Sequence, residues 1–188
     1  MSYVNKRKYQ VVPIETFKIK KVCAGCGKKQ TFVCRGSFRV NANGKHLDVW
    51  MIYGCEKCNH TYNLPIYERV DLSKIPKSDY MKFLSNDKEK IYQIGTNKRI
   101  FERNRVEIAR EKIKYNLIPF AEYEKNLPEG NTQIVLVNRF ELSLRLDKIV
   151  SEIFNVSRNE SKRLLAQGVV VVQVERGKNG NPNDKRET

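Results

Sequence analysis

Two C-x-x-C pairs, Cys23-Ala-Gly-Cys26 and Cys55-Glu-Lys-Cys58, separated by 28 residues, constrain this chain more than any other feature. Two residues between cysteines let both sulfurs converge on one ion, at about 2.3 Å in a tetrahedral site. Gly25, Gly27 and Asn59 stand where a tight turn around an ion needs a small residue or one that tolerates positive φ. A redox-active dithiol accounts for one C-x-x-C but not for a second, and no βαβ pattern follows either pair. The expected cofactor is therefore one structural Zn2+ held by Cys23, Cys26, Cys55 and Cys58. Four thiolates leave no open coordination position, so catalysis at the metal is not expected.

The segment between the pairs reads as a β-hairpin. Thr31 to Val40 and Lys45 to Tyr53 are rich in β-formers with partial alternation, and Asn41-Ala42-Asn43-Gly44 supplies a turn able to take positive φ. Hairpin plus knuckles predicts a zinc ribbon. The fifth cysteine, Cys34, falls within the first strand and reads as a small buried hydrophobe. His46 and His60 are chemically able to ligate, but beside four cysteines at matching spacing they read as surface or flanking residues.

Charge bears on partners. The 188 residues hold 36 Lys plus Arg against 21 Asp plus Glu, a formal +15; zinc on four thiolates leaves about +13. Eleven basic residues and one acid, Glu15, lie in residues 1 to 46. Such a chain is drawn to polyanions, nucleic acid or an anionic membrane surface, the plain alternative being a solvated face that keeps it soluble. Met1 to Val22 is punctuated by lysines and has no apolar stretch of a secretory leader, so a cytoplasmic location is expected. Apolar runs such as Ile134–Val137 and Val169–Val172 are four residues long, against the roughly 20 needed to cross a bilayer. No membrane span is expected.

The string Ser37-Phe38-Arg39-Val40-Asn41-Ala42-Asn43-Gly44-Lys45, continuing through Leu47-Asp48-Val49-Trp50-Met51-Ile52-Tyr53 to Cys55, Cys58 and Thr61-Tyr62-Asn63, resembles an uncharacterised bacterial family, domain of unknown function 1062. Where that family usually shows Trp before the Asn, this chain has Tyr62. The resemblance implies no activity.

Beyond the ribbon, Lys77 to Leu84 and Asp87 to Ile94 allow short helices with Ser85-Asn86 as a break, whereas Arg99 to Tyr115 suits strand and helix equally. Leu127-Pro128-Glu129-Gly130-Asn131 is a turn, and Gln133 to Val137 a buried strand. From Ser143 to Phe154, Leu146, Ile149, Val150, Ile153 and Phe154 recur at the spacing of one buried helix face. Ser157-Arg158-Asn159-Glu160 is a capping box opening a second helix that carries Leu164 and Leu165 inward and stops at Gly168, before a strand at Val169 to Val174.

This last succession, with Arg145-Leu146-Asp147, Val156-Ser157-Arg158 and Ala166-Gln167-Gly168-Val169-Val170-Val171, resembles the small RNA-binding fold named after ribosomal small-subunit protein four. The resemblance implies phosphate contacts at Arg145, Lys148, Arg158, Lys162 and Arg163, with Asp147 as a helix-supporting ion pair. The fold normally continues through an Asn-Gly turn into another strand, whereas here a polar tail follows. No phosphate-cradling Gly-rich loop and no nucleophile-base constellation is recognisable, so an enzyme is not expected.

The expected architecture is α+β: a zinc ribbon over 1–70, a mixed middle region over 71–131, a strand plus two-helix RNA-binding-like module over 132–177 and a disordered tail over 178–188. The expected function is zinc-containing RNA binding, with ribosomal or transfer RNA as partner. Alternatives are a DNA-binding or transcription-associated zinc ribbon and a protein-interaction adaptor.

Overall fold

The computed structural model describes residues 5–109, 112–140 and 142–176; the expected tail over 178–188 lies outside these. In chain order the elements are strands β1 (Asn5–Pro13), β2 (Ile19–Cys23), β3 (Lys28–Asn43), β4 (His46–Cys55) and β5 (Thr61–Asp71), helices α1 (Lys77–Leu84), α2 (Lys88–Gly95) and α3 (Lys98–Arg103), strands β6 (Glu107–Ile108), β7 (Tyr115–Pro119) and β8 (Thr132–Asn138), helices α4 (Leu146–Phe154) and α5 (Arg158–Ala166), and strand β9 (Val170–Arg176). The described residues are thus mixed α+β, with five α-helices and two sheets. They divide into two compact units, Glu15–Ile113 and the described parts of Met1–Ile14 and Lys114–Asn179.

The Glu15–Ile113 unit is a five-stranded sheet in the order β5-β4-β3-β2-β6, antiparallel throughout. Strand β4 shows why it forms: Leu47, Val49, Met51, Tyr53 and Cys55 are buried on one face, with His46, Asp48, Trp50 and Ile52 on the other. Phe83 of α1, Ile91 and Ile94 of α2 and Phe101 of α3 join Phe32, Met51 and Tyr53 in a single core. Its aromatic rings meet edge to face, Phe38 on Phe83 at 5.0 Å and Phe17 on Phe101 at 5.5 Å.

The short helices are fixed by their caps. The Asp87 carboxylate accepts from Lys90 N at 2.8 Å at the start of α2, and Asn97 Oδ1 accepts from Arg99 N at 3.1 Å at the start of α3. The undecided stretch from Arg99 resolves into α3, the two-residue β6 and, further on, β7.

The hairpin is longer than the sequence predicts. Asn41, Ala42 and Asn43 are extended and pair with Asp48, Leu47 and His46, so the turn contracts to Gly44-Lys45 with Gly44 at φ +59°. The register of β3 against β4 shifts between Cys34 and Phe38, where three residues of β3 oppose Ile52 alone. Two extra residues preserve parity, so Cys34 and Phe38 both pack against the core.

The other unit is a four-stranded sheet in the order β7-β1-β8-β9, with β1 parallel to β8 and β8 parallel to β9. The β8-to-β9 crossover is the α4–α5 pair. Ile149, Val150, Ile153 and Phe154 are buried as the periodicity predicts, but α4 begins at Leu146 rather than near Ser143. The Asn138 side chain holds the chain just before it, donating to Leu142 O at 2.8 Å and accepting from Leu142 N at 3.1 Å. Ser157 Oγ accepts from Glu160 N at 3.1 Å, the capping half of the predicted box. Leu164 is buried and Leu165 half-buried; Gly168, at φ +70°, turns the chain into β9.

Strand β1, within the first seventy residues, is hydrogen-bonded between β7 and β8 and not to the hairpin. Its Lys-Arg-Lys start conceals strand alternation, with Arg7, Tyr9, Val11 and Pro13 facing inward.

Candidate metal centre

The two knuckles have the same local build. Cys23 ends β2 and Lys28 begins β3; Cys55 ends β4 and β5 begins at Thr61. In the first, Gly27 N donates to Cys23 O at 2.8 Å with Gly27 at φ +67°; in the second, Asn59 N donates to Cys55 O at 3.0 Å with Asn59 at φ +61°. Each C-x-x-C is therefore followed by one left-handed residue that returns its N–H to the first cysteine, which explains Gly and Asn at those positions.

Because β2–β3 and β4–β5 belong to one sheet, both tips lie at the same end of it. The four Sγ atoms lie within 4.8 Å of one another. Cys23 and Cys58 are 3.4 Å apart and Cys26 and Cys55 4.0 Å, bracketing the roughly 3.8 Å edge of a tetrahedron with 2.3 Å metal–sulfur bonds. None of the four is in a disulfide. A Cβ added to Gly25 would sit 3.1 Å from Cys58 Sγ, so the knuckle backbone approaches the cluster closely. The donor set and spacing can bind a metal ion.

The thiols differ in proton affinity. The Cys58 side chain, then burial, pushes the Cys26 thiol up to about 12. For Cys55, burial pushes upward but backbone N–H groups of Cys58 and Lys57, with the Cys23 and Cys58 side chains, outweigh it and bring the thiol down to about 7. Amides aimed at a sulfur favour its thiolate, the ligating form.

Cys34 packs partly buried against the core, and burial raises its thiol. Its Sγ accepts from Gly36 N at 3.3 Å in the bulge, and it is outside the cluster. Cys34→Ala is expected to leave metal stoichiometry unchanged and to cost about 1 kcal/mol; mass spectrometry under native conditions and a denaturation curve check both. Loss of metal would make it a ligand. His46 and His60 are both exposed, and neither joins the cluster.

The five cations expected at a phosphate interface are brought to one unit, all exposed. Arg145 donates to Asp147 at 2.9 Å, and Arg163 pairs with Glu160 at 2.6 Å. Lys148 Nζ lies 5.9 Å from the Tyr115 ring centroid. Arg158 and Lys162, four apart on α5, form no salt bridge among the described residues, although Arg158 helps hold the Asp147 carboxyl below its ordinary range. No described helix is long and apolar enough to cross a membrane.

Two features escaped the sequence reading: the buried position of Arg7, and an outward face of the five-stranded sheet carrying Trp50. The alternation of β4 was the available signal for the second.

The model of a family described as a protein of unknown function, DUF1062, matches residues 40–176. No curated protein and no solved structure matches the chain.

Proposed function

The chain belongs to the DUF1062 family of proteins of unknown function, and on that footing we propose that it is a cytoplasmic, zinc-containing RNA-binding protein of bacterial type that contacts structured ribosomal or transfer RNA. Zinc is the metal chosen because four thiolates in a closed tetrahedral set suit a structural Zn2+. In this reading the ion is a staple: it fixes the ends of β2–β3 and β4–β5 and carries no reaction.

The observation that carries the RNA reading is the α4–α5 pair, capped by Ser157 and terminated by Gly168, with Arg145, Lys148, Arg158, Lys162 and Arg163 all exposed on it. The order of helix, capped helix, glycine and strand resembles the RNA-binding fold of ribosomal small-subunit protein four. Arg158 and Lys162 share a helix face. Arg145 and Arg163 keep their charge within intramolecular pairs, so Arg158, Lys162 and Lys148 are the foremost phosphate contacts.

A labelled stem-loop RNA and a duplex DNA of equal charge, titrated at the same salt, test this reading. Tighter binding of the stem-loop is expected, with a log K against log salt slope of about −4 to −7, as for roughly 5 to 8 neutralised phosphates. Arg158→Ala with Lys162→Ala is expected to flatten the slope by about 2 and to weaken binding across RNA sequences, since phosphate contacts position without reading bases. Lys74→Ala with Lys77→Ala, both exposed and near the start of α1, is the charge-matched control. An equal loss in the control reduces the helix pair to general basicity. Preference for the duplex favours a DNA-binding zinc ribbon, and failure to bind either favours a protein-interaction adaptor.

A further inference from the structure

The five-stranded sheet has one face packed on helices; on the other, Val33, Trp50 and Ile52 are half-buried and Arg39 is exposed. Core residues of β3 and β4 alternate with Val33, Arg39, Trp50 and Ile52, none of which belongs to the core or packs against it. Trp50 is the one tryptophan of the chain. On this outward face it stands opposite Arg39 in β3 and Pro65 in β5, with the Arg39 guanidinium 6.0 Å from its ring centroid. Ile52 follows two residues along, and Gly54 two further.

At Gly54 the missing side chain has a use. A Cβ there would overlap the Arg35 guanidinium, which lies across the strand and donates to the Asn59 carboxamide oxygen. The bulge that preserves the parity of β3 also delivers Arg35 to this position. The result is an aromatic ring and an aliphatic side chain in line along β4, with an arginine at either end, about 13 Å apart by strand rise. Neither Arg35 nor Arg39 forms a salt bridge among the described residues, whereas Lys18, just before β2, and Lys29, near the start of β3, are paired with Glu56 and Glu107.

The charge of the unit selects the occupant. Residues 15–113 hold 21 of the 36 Lys and Arg but only 11 of the 21 Asp and Glu, a net +10, or about +8 with zinc on the four thiolates, against +5 for the rest of the chain. A protein surface fitted to this face would meet two arginines with no carboxylate partner among the described residues, whereas a single nucleic-acid strand offers bases to the ring and phosphates to the guanidinium groups.

We propose that the outward face of this sheet, built from Trp50, Ile52, Arg39 and Arg35, is a second nucleic-acid site that stacks a base of single-stranded RNA on Trp50 and takes its flanking phosphates on Arg39 and Arg35. This rests on the RNA reading above but places the contact on the metal-bearing unit, with unpaired bases as ligand instead of a helix backbone.

Trp50 is its own probe. A single-stranded uridine decamer, titrated into the metal-loaded full chain, is expected to quench the tryptophan emission in step with anisotropy of the labelled RNA, and a decamer of abasic residues with the same phosphate count to quench it far less. Trp50→Leu is expected to weaken decamer binding about tenfold. Arg39→Gln, at an exposed position, is expected to lower affinity several-fold and to flatten the salt slope by about 1 while keeping the metal, which preserves the test should Trp50→Leu fold poorly. Decamer binding with unchanged emission and unchanged affinity in Arg39→Gln would overturn the sheet site and leave RNA binding through α4–α5 standing. If neither decamer nor stem-loop binds, the RNA reading falls and this site with it.

Discussion

Cys55→Ser protein is expected to be purified without its metal. Serine nearly preserves the volume of the side chain, so packing changes little, but it removes one of four ligands and the one whose thiolate the knuckle amides most favour. Three thiolates do not close the site, and metal binding free energy in small thiolate domains is itself folding free energy, on the order of 10 kcal/mol. The damage is expected to be graded along the sheet. Near the knuckles β3 still pairs with β4, with Phe32 opposite Cys55, but the turns at 24–27 and 56–60 extend beyond the strands; farther away, Phe83, Ile91 and Phe101 secure β3 and β4 from one side. Amide signals of residues 19–34 and 52–62 should lose dispersion first, and the thermal midpoint of this unit should fall by more than about 10 °C. Native mass spectrometry measures the metal. A Cys55→Ser protein that kept one zinc per chain and its knuckle dispersion would sink the four-cysteine assignment.

That assignment was legible because each half of the site is local. Two cysteines three apart, followed by Gly27 or Asn59, describe a complete turn, and the hairpin between the pairs contains its own instruction for bringing the turns together. The capped helices were legible for the same reason: Ser157 and Glu160, or Asp87 and Lys90, act within one turn of chain. Strand partners are another matter. Nothing local in Asn5–Pro13 says that it lies between β7 and β8, parallel to a strand more than a hundred residues away.

The outward sheet face was readable in principle. Alternation along β4 puts Leu47, Val49, Met51 and Tyr53 on one side and Trp50 with Ile52 on the other. What the sequence could not supply was the route of Arg35, since the bulge that swings it over Gly54 depends on the pairing of β3 with β4. Charge counts misled in a related way. They treat every lysine and arginine of residues 1 to 46 as surface, although one of the eleven serves the interior.

That residue is Arg7, and Arg7→Ala is expected to be among the most destabilising single changes in its unit. The side chain is 6% exposed. Its Nη1 donates to Glu124 O at 2.6 Å and Nη2 to Asn126 O at 2.9 Å, while the guanidinium stands 4.7 Å from the Phe154 ring centroid and 5.7 Å from that of Tyr123. One arginine thus joins β1, the end of α4 and the segment between β7 and β8. Hydrogen bonds to a charged donor contribute about 1.5–3 kcal/mol each, and truncation also leaves two carbonyls to find new partners. These terms are not additive, and about 3 kcal/mol is the expected loss. For a protein of this size that lowers the midpoint by roughly 6–12 °C. Arg7→Lys should recover only part of it, because an ammonium lacks the planar fork that spans both carbonyls and stacks on the rings. Hydrogen exchange gives the local readout: residues 121–131 should exchange faster in Arg7→Ala, while the knuckles keep their protection and their metal. An Arg7→Ala protein within about 0.5 kcal/mol of wild type would return Arg7 to the solvated surface, where its sequence neighbours Lys6 and Lys8 suggest it belongs.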